Sequence, residues 1–459
     1  MKKLNAFMKK IDSIKTSRFF ILTFIIFFVL QILIVPKLLF SNFIHAEDGG
    51  VFTSDELRFG PGSLFIPFGG YLVMISRVFS IIAIGFAKLF NTFDIVPQII
   101  MILSASFVSF VASYFASDRF EFFIKGRLKR LLVSALMILL CSDFIGLLFN
   151  GVSIHWWTGV FIFFVSLELL HGNLPSKFVY PVVLLSIFSS PSALVIAFSA
   201  LYYLYDKYKN GSLKRTLKSK YIIFFTMVFI SLAVQAYFIL FRSSVDTMNS
   251  SLSVKHVLSS LGNAYTQTLN SPFFVFSYYF FKGVVQNAAV HVIGAIIWLA
   301  AFFIAKKKGY LKYLVFSFIS IFFVYLMTFY KTSEKLMLHQ HNVLGPQTPQ
   351  IWYNVLPAAI VFVLAAAFII KHLNKKYAFV VFAFSLVLGA EFYCIHWKPD
   401  TSYNNKLHEA SEHVDFTSKT YAVVKTAPYY ATDWWTYTRV PVNPEYCQTE
   451  GVVCETFDD

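Results

Sequence analysis

Charged residues are scarce in this sequence. Only 14% of the 459 residues are Asp, Glu, Lys or Arg, whereas 57% are hydrophobic. Soluble domains hold about 25% charged residues, so this composition excludes a soluble protein. Apolar runs such as Phe19–Phe40 are long enough to cross roughly 30 Å of hydrocarbon as a helix. The sequence therefore predicts an integral membrane protein that crosses the bilayer many times.

Cysteine is also scarce, with four residues in the whole chain. Cys141 and Cys394 lie in apolar segments, which is typical of inert packing residues. Cys447 and Cys454 lie close together in the polar C-terminal tail, without a neighbouring His or Cys to complete a zinc site. A small disulfide loop is expected there if the tail faces an oxidising compartment.

Several signatures of other protein classes are missing. No Walker-type phosphate loop is present, so direct use of ATP is not expected. The net charge of +15 comes from short loops between apolar segments, which argues for membrane orientation and against nucleic-acid binding. The apolar run after the basic N-terminus is too long for a signal peptide and lacks a small-residue cleavage site. We therefore interpret it as a retained first helix.

Five clusters of Lys and Arg predict the orientation of the chain, because basic loops remain in the cytoplasm. The clusters are Lys2–Arg18, Asp118–Arg130, Tyr205–Lys220, Lys306–Lys312 and Lys371–Lys376. All five should lie on one side of the membrane. The N-terminus is therefore expected in the cytoplasm and the C-terminus on the outer side of the membrane, which for a bacterial inner membrane, the location that the family resemblance described below implies, is the periplasm.

This requirement restricts the number of spans. Two apolar stretches, Tyr71–Phe90 and Pro97–Ser117, separate the first helix from the second basic cluster, so only one of them can cross. We predict that Tyr71–Phe90, which follows a segment rich in Gly and Pro, lies at the outer interface. About eleven spans then remain. They are Phe19–Phe40, Pro97–Ser117, Leu131–Asn150, Thr158–Leu170, Phe178–Ser189, Ser192–Tyr205, Tyr221–Phe241, Asn287–Ile304, Tyr313–Tyr330, Asn354–Ile370 and Tyr377–Ile395.

The predicted fold class is thus an all-α polytopic membrane protein with an interfacial helix in its first outer loop. Residues 1–18 form the cytoplasmic N-terminus and residues 19–395 the transmembrane domain. Residues 396–459 form an extracytoplasmic tail, long enough for a small structured cap. No inverted sequence repeat of the kind found in many transporters is visible.

The first outer loop carries an acidic pair, Glu47 and Asp48, followed by two glycines. Adjacent carboxylates repel each other, so the pKa of at least one is expected to rise unless a cation lies beside them. Such a group near a membrane surface is suited to act as a general base. The alternative interpretation is a solvated turn with no chemical role.

Four short motifs resemble a known family. They read HAEDGGVF, GPGSLFIPFGGYLVMISR, NGVSIHWW and SSPSAL. Together they resemble the GT-C superfamily of membrane glycosyltransferases, in the organisation of the phage and bacterial serotype-converting proteins that glucosylate O-antigen. The resemblance spans roughly residues 19–370.

The resemblance implies an activity. Enzymes of this superfamily transfer a sugar from a polyprenyl-phosphate donor to an acceptor on the outer face, here a glycan such as lipopolysaccharide O-antigen. Their acidic pair lies in the first outer loop, which places the catalytic role on Glu47 and Asp48. One carboxylate is expected to deprotonate the acceptor hydroxyl, with a preference for Glu47, and the anomeric carbon would be inverted. No cofactor is implied.

Arg77 is the first choice for stabilising the phosphate that leaves, since a cation near a leaving group stabilises its growing negative charge. The alternative is that Arg77 only reaches the lipid headgroups from the end of its helix. Lys282, in another outer loop, is a weaker candidate for the same role.

Aromatic residues complete the expected substrate-binding set. Tyr71 lies within the second motif, and His155 and Trp156 lie in the second outer turn, where they can contact a sugar or mark the membrane interface. Tyr353 occupies a position where related enzymes often carry an Arg-Tyr pair. Trp352 precedes it here, so phosphate contact by this loop is left open.

Two other classes compete with this interpretation. A transporter or lipid flippase would carry ionisable residues in the middle of helices, and few are present. An O-antigen polymerase or ligase would carry a large outer loop rich in Arg, whereas the longest outer loop here has few basic residues. A divalent metal is not indicated, because no carboxylate or Cys accompanies the two histidines His339 and His341.

Overall fold

The structure is a computed structural model. It describes residues 11–34, 44, 48–68, 71–141, 151, 154–213, 221–241, parts of 257–271, 288–331, 355–372, 402–425 and 437–456.

Most described residues are helical. In chain order, the α-helices are α1 Thr16–Ile34, α2 Ser54–Phe59, α3 Met74–Phe90, α4 Ile95–Ala116, α5 Arg127–Cys141, α6 Ile154–His171, α7 Tyr180–Ile187, α8 Ile196–Lys209, α9 Tyr221–Phe241, α10 Ala288–Lys308, α11 Leu311–Lys331, α12 Val355–His372 and α13 Ser402–Glu412. Short 3₁₀ turns occur at Gly60–Phe65, Asp118–Phe120, Lys177–Val179, Pro191–Val195 and Pro444–Gln448.

Within the described ranges, four helices are long and apolar enough to cross a membrane. They cover Thr16–Leu33, Ile95–Ala116, Ile154–His171 and Ile222–Ile239. Shorter apolar helices cover Lys177–Ile187, Leu311–Met327 and Ala359–Phe368. This is compatible with a helical membrane protein. The count of eleven spans remains a prediction, and its last span, Tyr377–Ile395, lies outside the described residues.

The outer surfaces of α1 and α10 also suit a bilayer. Large apolar side chains on these two helices face outward, which is unfavourable in water and favourable in lipid. On α1 they are Ile21, Leu22, Ile25, Ile26, Val29 and Leu33. On α10 they are Val292, Ile293, Ile296, Ile297, Leu299 and Phe303.

Helices α1 and α4 are antiparallel neighbours. The Thr16 hydroxyl, at the start of α1, donates a 2.8 Å hydrogen bond to Asp118, just beyond the end of α4. Further along, the buried Gln31 amide donates to the Ala105 carbonyl at 3.0 Å and to Ser109 Oγ at 2.7 Å. The chain therefore crosses the bundle an even number of times between Thr16 and Asp118, as the prediction requires.

Helix α3 remains at one end of the bundle. Near its start, Ser76 donates to the Gly151 carbonyl at 2.6 Å, and Gly151 lies beside Ile100 in the second turn of α4. The last residue of α3, Phe90, is separated from the start of α4 by four residues. Both ends of α3 therefore lie beside the first two turns of α4. This geometry explains why the apolar stretch Tyr71–Phe90 need not count as a span.

Basic loops meet at the opposite end of the bundle. Asp118 accepts hydrogen bonds of 2.8 Å from Arg127 and from the buried Arg130, which also donates to the Ala116 carbonyl at the end of α4. The hydrogen bonds from Arg127 hold the pKa of Asp118 below its usual value. Arg127 further donates to the Ile11 carbonyl at 3.1 Å, so the N-terminal segment joins the same cluster.

The start of α11 joins this cluster through the end of α6. The Phe122 and His171 rings stack with centroids 3.9 Å apart, and Lys312 donates to the Leu170 carbonyl at 2.6 Å. His171 Nδ1 is 3.0 Å from the Tyr313 hydroxyl. We call this end of the bundle the basic end, and the end where α4 begins the Asp48 end.

The tail contains a small α+β unit, which the all-α prediction did not include. Three antiparallel strands, β1 Thr420–Lys425, β2 Tyr437–Pro441 and β3 Cys454–Thr456, form a sheet in the order β2-β1-β3. Tyr421 pairs with Pro441 on one side and with Glu455 on the other. A disulfide joins Cys447 to Cys454. We call residues 402–456 of the described structure the cap.

Hydrogen bonds attach the cap to the loop between α3 and α4. The Ser411 hydroxyl oxygen accepts from the backbone N–H groups of Phe93 at 2.8 Å and Asp94 at 3.0 Å. His408 Nδ1 lies 2.7 Å from an Asp94 carboxylate oxygen.

An apolar cluster extends this contact. From α3, α4 and the loop between them it includes Ala83, Ile84, Ala87, Phe93, Val96 and Ile100. From the cap it includes Leu407, Ala410, Ala422, Val424, Val440 and Val442. The cap therefore covers the Asp48 end.

Candidate functional site

Asp48 opens a buried turn of π-helix, Asp48–Thr53, directly before α2. Its side chain is 2% exposed, and Oδ2 accepts a 2.7 Å hydrogen bond from the backbone N–H of Gly151. The Gly151 carbonyl in turn accepts a 2.6 Å hydrogen bond from the Ser76 hydroxyl of α3. These hydrogen bonds join Asp48, in the first predicted outer loop, to Gly151 in the second and through it to the start of α3.

The π turn has internal support from two hydroxyl groups. The side chains of Thr53 and Ser54 both donate to the Gly49 carbonyl, at 2.8 and 2.9 Å. Strand β2 of the cap packs against this turn. The Asp48 carboxylate therefore lies beneath the cap and on a segment that several elements hold in place.

Arg77 lies in the first turn of α3 and is 1% exposed. Its Nη1 donates a 2.8 Å hydrogen bond to Asp55, and its guanidinium carbon lies 5.2 Å from the centroid of the Phe52 ring. Nε and Nη2 have no hydrogen-bond partner among the residues that the structure describes. A buried guanidinium with unused N–H groups is suited to bind an anion, because each unpaired donor is costly without one.

The charge on Arg77 survives its burial. Desolvation lowers the pKa of the guanidinium, and the carboxylate of Asp55 opposes this shift. Because an Arg guanidinium keeps its proton far above neutral pH, the group stays charged despite this lowered pKa.

The turn after α7 supports the start of α3. Ser189 Oγ accepts a 2.8 Å hydrogen bond from the backbone N–H of Ile75, two residues before Arg77. Ser190 and Ser192 share a 2.6 Å hydroxyl contact in the same turn. The SSPSAL motif thus contributes to the backbone around the site.

A residue of α9, which the sequence analysis did not predict to be part of the site, supports the segment before α3. The amide of Gln235 forms a matched pair with the backbone of Leu72, accepting from its N–H and donating to its carbonyl, both at 3.2 Å. Phe68 and Tyr71 form an isolated antiparallel bridge just before. The segment before α3 is therefore tied to a distant helix through a buried side-chain amide.

Tyr71, His155 and Trp156, the predicted aromatic residues, lie together. The ring centroids of Tyr71 and His155 are 6.3 Å apart, and those of His155 and Trp156 are 4.4 Å apart. His155 is buried, whereas Trp156 and Tyr71 are partly exposed. His155 and Trp156 belong to the first turn of α6, four and five residues beyond Gly151, whereas Tyr71 precedes α3.

Two acidic residues of the site were missed by the sequence interpretation. Asp55 is the ion-pair partner of Arg77, and Glu56 is 5% exposed with a 2.9 Å hydrogen bond from Ser63. Burial raises the pKa of Glu56, and the Ser63 hydrogen bond, Lys88 and Arg77 lower it in part. The sequence could have indicated both acids, since Asp55 and Glu56 follow Asp48 by seven and eight residues in the same loop, about two helical turns.

Some predicted residues cannot be placed. Glu47, Lys282 and Tyr353 lie outside the described residues. Within the described part of the chain, no group of three or more His, Cys, Asp or Glu side chains is arranged to hold a metal ion.

Comparison with known proteins adds no identification. No family model, curated protein or solved structure matches this chain. Function must therefore be argued from the site itself. The described site combines a buried carboxylate, a buried cation with unused donors and an aromatic cluster, which suit proton abstraction, anion binding and sugar contact respectively.

Proposed function

We propose that this chain is a membrane glycosyltransferase. It would move a sugar, with glucose the expected one, from a polyprenyl-phosphate donor to an extracytoplasmic glycan such as lipopolysaccharide O-antigen. One observation carries the proposal. The buried Arg77 guanidinium keeps two nitrogens without a partner among the described residues, at the same end of the bundle as the buried Asp48 carboxylate.

The reaction needs a base and a stabilised leaving group. A carboxylate of the Glu47 and Asp48 pair takes the proton of the acceptor hydroxyl, whose oxygen attacks the anomeric carbon. The bond between that carbon and the phosphate oxygen breaks, and polyprenyl phosphate leaves with the electron pair. The Gly151 N–H hydrogen bond fixes the position of the Asp48 carboxylate, which suits a role in holding the acceptor or receiving its proton.

Arg77 would stabilise the departing phosphate. Asp55 and the Phe52 ring hold one side of the guanidinium, so its remaining N–H groups are oriented before the donor binds. Preorganised donors in a site without water stabilise developing charge more strongly than solvated ones. Tyr71, His155 and Trp156 would contact the sugar or its phosphate.

The proposed orientation follows from the charges. The basic end would face the cytoplasm and the Asp48 end, with its cap, the periplasm of a bacterial inner membrane. Helix α3, whose two ends lie at the Asp48 end, would lie at the outer interface. A disulfide in the cap suits an oxidising compartment.

The competing function is transport or flipping of a lipid-linked or small-molecule substrate. Glu168, fully buried in α6, is the observation that favours it, since intramembrane acids often mark substrate or proton paths. Glu168, however, accepts hydrogen bonds from Arg119 and Tyr114 at the basic end. This pairing explains it as a structural ion pair.

The deciding experiment is a transfer assay. Membranes with wild type, Glu47→Gln, Asp48→Asn or Arg77→Gln receive polyprenyl-phosphate glucose and lipid-linked O-antigen, at matched expression. Loss of general-base action lowers rates by about 10²–10⁴-fold, and at least one carboxylate variant should show this. Glu121→Gln, which neutralises an exposed acid at the basic end, serves as the control and should retain the wild-type rate.

Two results would contradict the proposal. Full activity in both carboxylate variants would remove the acidic pair from the mechanism. A wild type that transfers no sugar from any donor offered, yet moves a labelled lipid across proteoliposomes, would favour the transporter.

A further inference from the structure

A pocket lies at the basic end, far along the bundle from Asp48. Its volume is about 390 Å³, and none of the residues that line it is acidic. It is lined by the segment between α6 and α7, by the first residue of α7 and by one residue of α8. The lining residues are Gly172, Asn173, Leu174, Pro175, Ser176, Lys177, Tyr180 and Tyr203.

Hydrogen bonds to Glu168 and from Arg119 hold the backbone that forms this pocket. The Asn173 N–H donates to the Glu168 carbonyl at 2.9 Å, and Arg119 donates to both the Glu168 carboxylate and the Leu174 carbonyl. Gly172 has a φ of +92°, a conformation that a residue with a side chain rarely adopts. The pocket is therefore preformed by an ion pair and a glycine turn.

Two lysines give the pocket its charge. Lys177 lines it directly and is exposed. Lys207 Nζ lies 5.0 Å from the centroid of the Tyr203 ring and 4.0 Å from where a Cβ on Gly172 would lie. An anionic group in this pocket would be attracted by both lysines.

An exposed apolar side chain lies beside the pocket. Phe178, adjacent to the lining residue Lys177, is 93% exposed. Such a ring is unfavourable in water and favourable against acyl chains, whereas a free anion would gain nothing from it.

We propose that this pocket binds the phosphate headgroup of an anionic phospholipid from the leaflet at the basic end. The phosphate lies between Lys177 and Lys207, and an acyl chain runs over Phe178. Basic pockets between helices on the cytoplasmic side are a known mode of anionic-lipid recognition. The site lies at the other end of the bundle from the proposed transfer reaction and does not depend on it.

The test compares two charge-matched double variants of the full chain. Lys177→Gln with Lys207→Gln removes the pocket charge. Lys209→Gln with Lys306→Gln removes the same charge from exposed lysines at the same end that do not line the pocket. Each protein is placed in nanodiscs of phosphatidylcholine with increasing phosphatidylglycerol, and bound phosphatidylglycerol is counted by native mass spectrometry.

We expect the pocket variant to lose about 30-fold in phosphatidylglycerol affinity, since each lysine near an anionic surface is worth about fivefold. The control variant should bind as wild type does. Phosphatidylglycerol should also raise the melting temperature of wild type and control but not of the pocket variant.

Three results would overturn the proposal. An equal loss in the control variant would show diffuse surface attraction, and unchanged binding by the pocket variant would show that the pocket is not used. Inorganic phosphate that protects detergent-solubilised wild type as well as the lipid does would assign a free anion instead. Should the double variant fold poorly, Lys177→Gln alone serves, because that side chain is exposed.

Discussion

The backbone N–H of Gly151 and the carboxylate of Asp48 are joined by a 2.7 Å hydrogen bond across 103 residues of sequence. This contact positions the acidic residue of the first outer loop against the turn that precedes α6. It also leaves no room for a side chain at residue 151. A Cβ there would lie 2.9 Å from Asp48 Oδ1 and 3.3 Å from Ile100 Cγ2.

Gly151→Ala is therefore expected to displace the Asp48 carboxylate. A misplacement near 1 Å costs about 10²-fold in rate, so sugar transfer should fall by about that factor, measured as initial rate in membranes. Gly62→Ala is the matched control, because a Cβ at residue 62 meets nothing within 4 Å in the same loop. Equal rates for the two variants would mean that the position of Asp48 is not important for the reaction.

Asp55→Asn should destabilise the protein by leaving the Arg77 charge buried without its partner. Breaking a fully buried pair costs about 3–5 kcal/mol, and the partial exposure of Asp55 places the expected loss near 2 kcal/mol. The measurement is the melting temperature in detergent. A polyprenyl-phosphate sugar should restore part of the loss, since its phosphate replaces the missing anion beside Arg77.

Glu56→Gln is the comparison variant for Asp55→Asn. Burial raises the pKa of Glu56 in the folded state, so its ionised form destabilises the fold above the pKa of the unfolded chain. The neutral amide should therefore leave stability unchanged or raise it at pH 7. A larger loss for Glu56→Gln than for Asp55→Asn would contradict the assignment of Asp55 as the partner of Arg77.

His408 should make the attachment of the cap depend on pH. The hydrogen bond and the charge of Asp94 raise the pKa of His408 above its ordinary 6.5, and Glu412 and Glu409 act in the same direction. A raised folded pKa gives a stabilising contribution that is complete below about pH 6.5 and disappears as the pH rises through the folded value. The melting temperature should therefore fall across this window in wild type.

The measurement compares wild type with His408→Gln from pH 5.5 to 8.5. The difference in melting temperature should be present at the acidic end and vanish at the alkaline end. Asp94→Asn should remove the same dependence. A difference that is constant over this range would show that the His408 contact contributes only through packing.

The composition and the distribution of Lys and Arg were sufficient to predict a membrane protein whose basic loops lie at one end. They also predicted that only one of two apolar stretches before Asp118 crosses, in agreement with the Thr16 contact to Asp118. Patterns of this kind are local along the chain, so a single sequence carries them. The same patterns placed Asp48 and His155 in loops at the opposite end, and Arg77 at the start of an interfacial helix there.

Only the tertiary structure decided which groups meet. The partner of Arg77 is Asp55, and the backbone of Leu72 pairs with Gln235 from α9. Neither pairing can be derived from the sequence pattern, although Asp55 lies in the same loop as Asp48. The cap folds around a three-stranded sheet. Such contacts join residues that are far apart in the chain and depend on how helices pack, which a charge or hydropathy pattern does not encode.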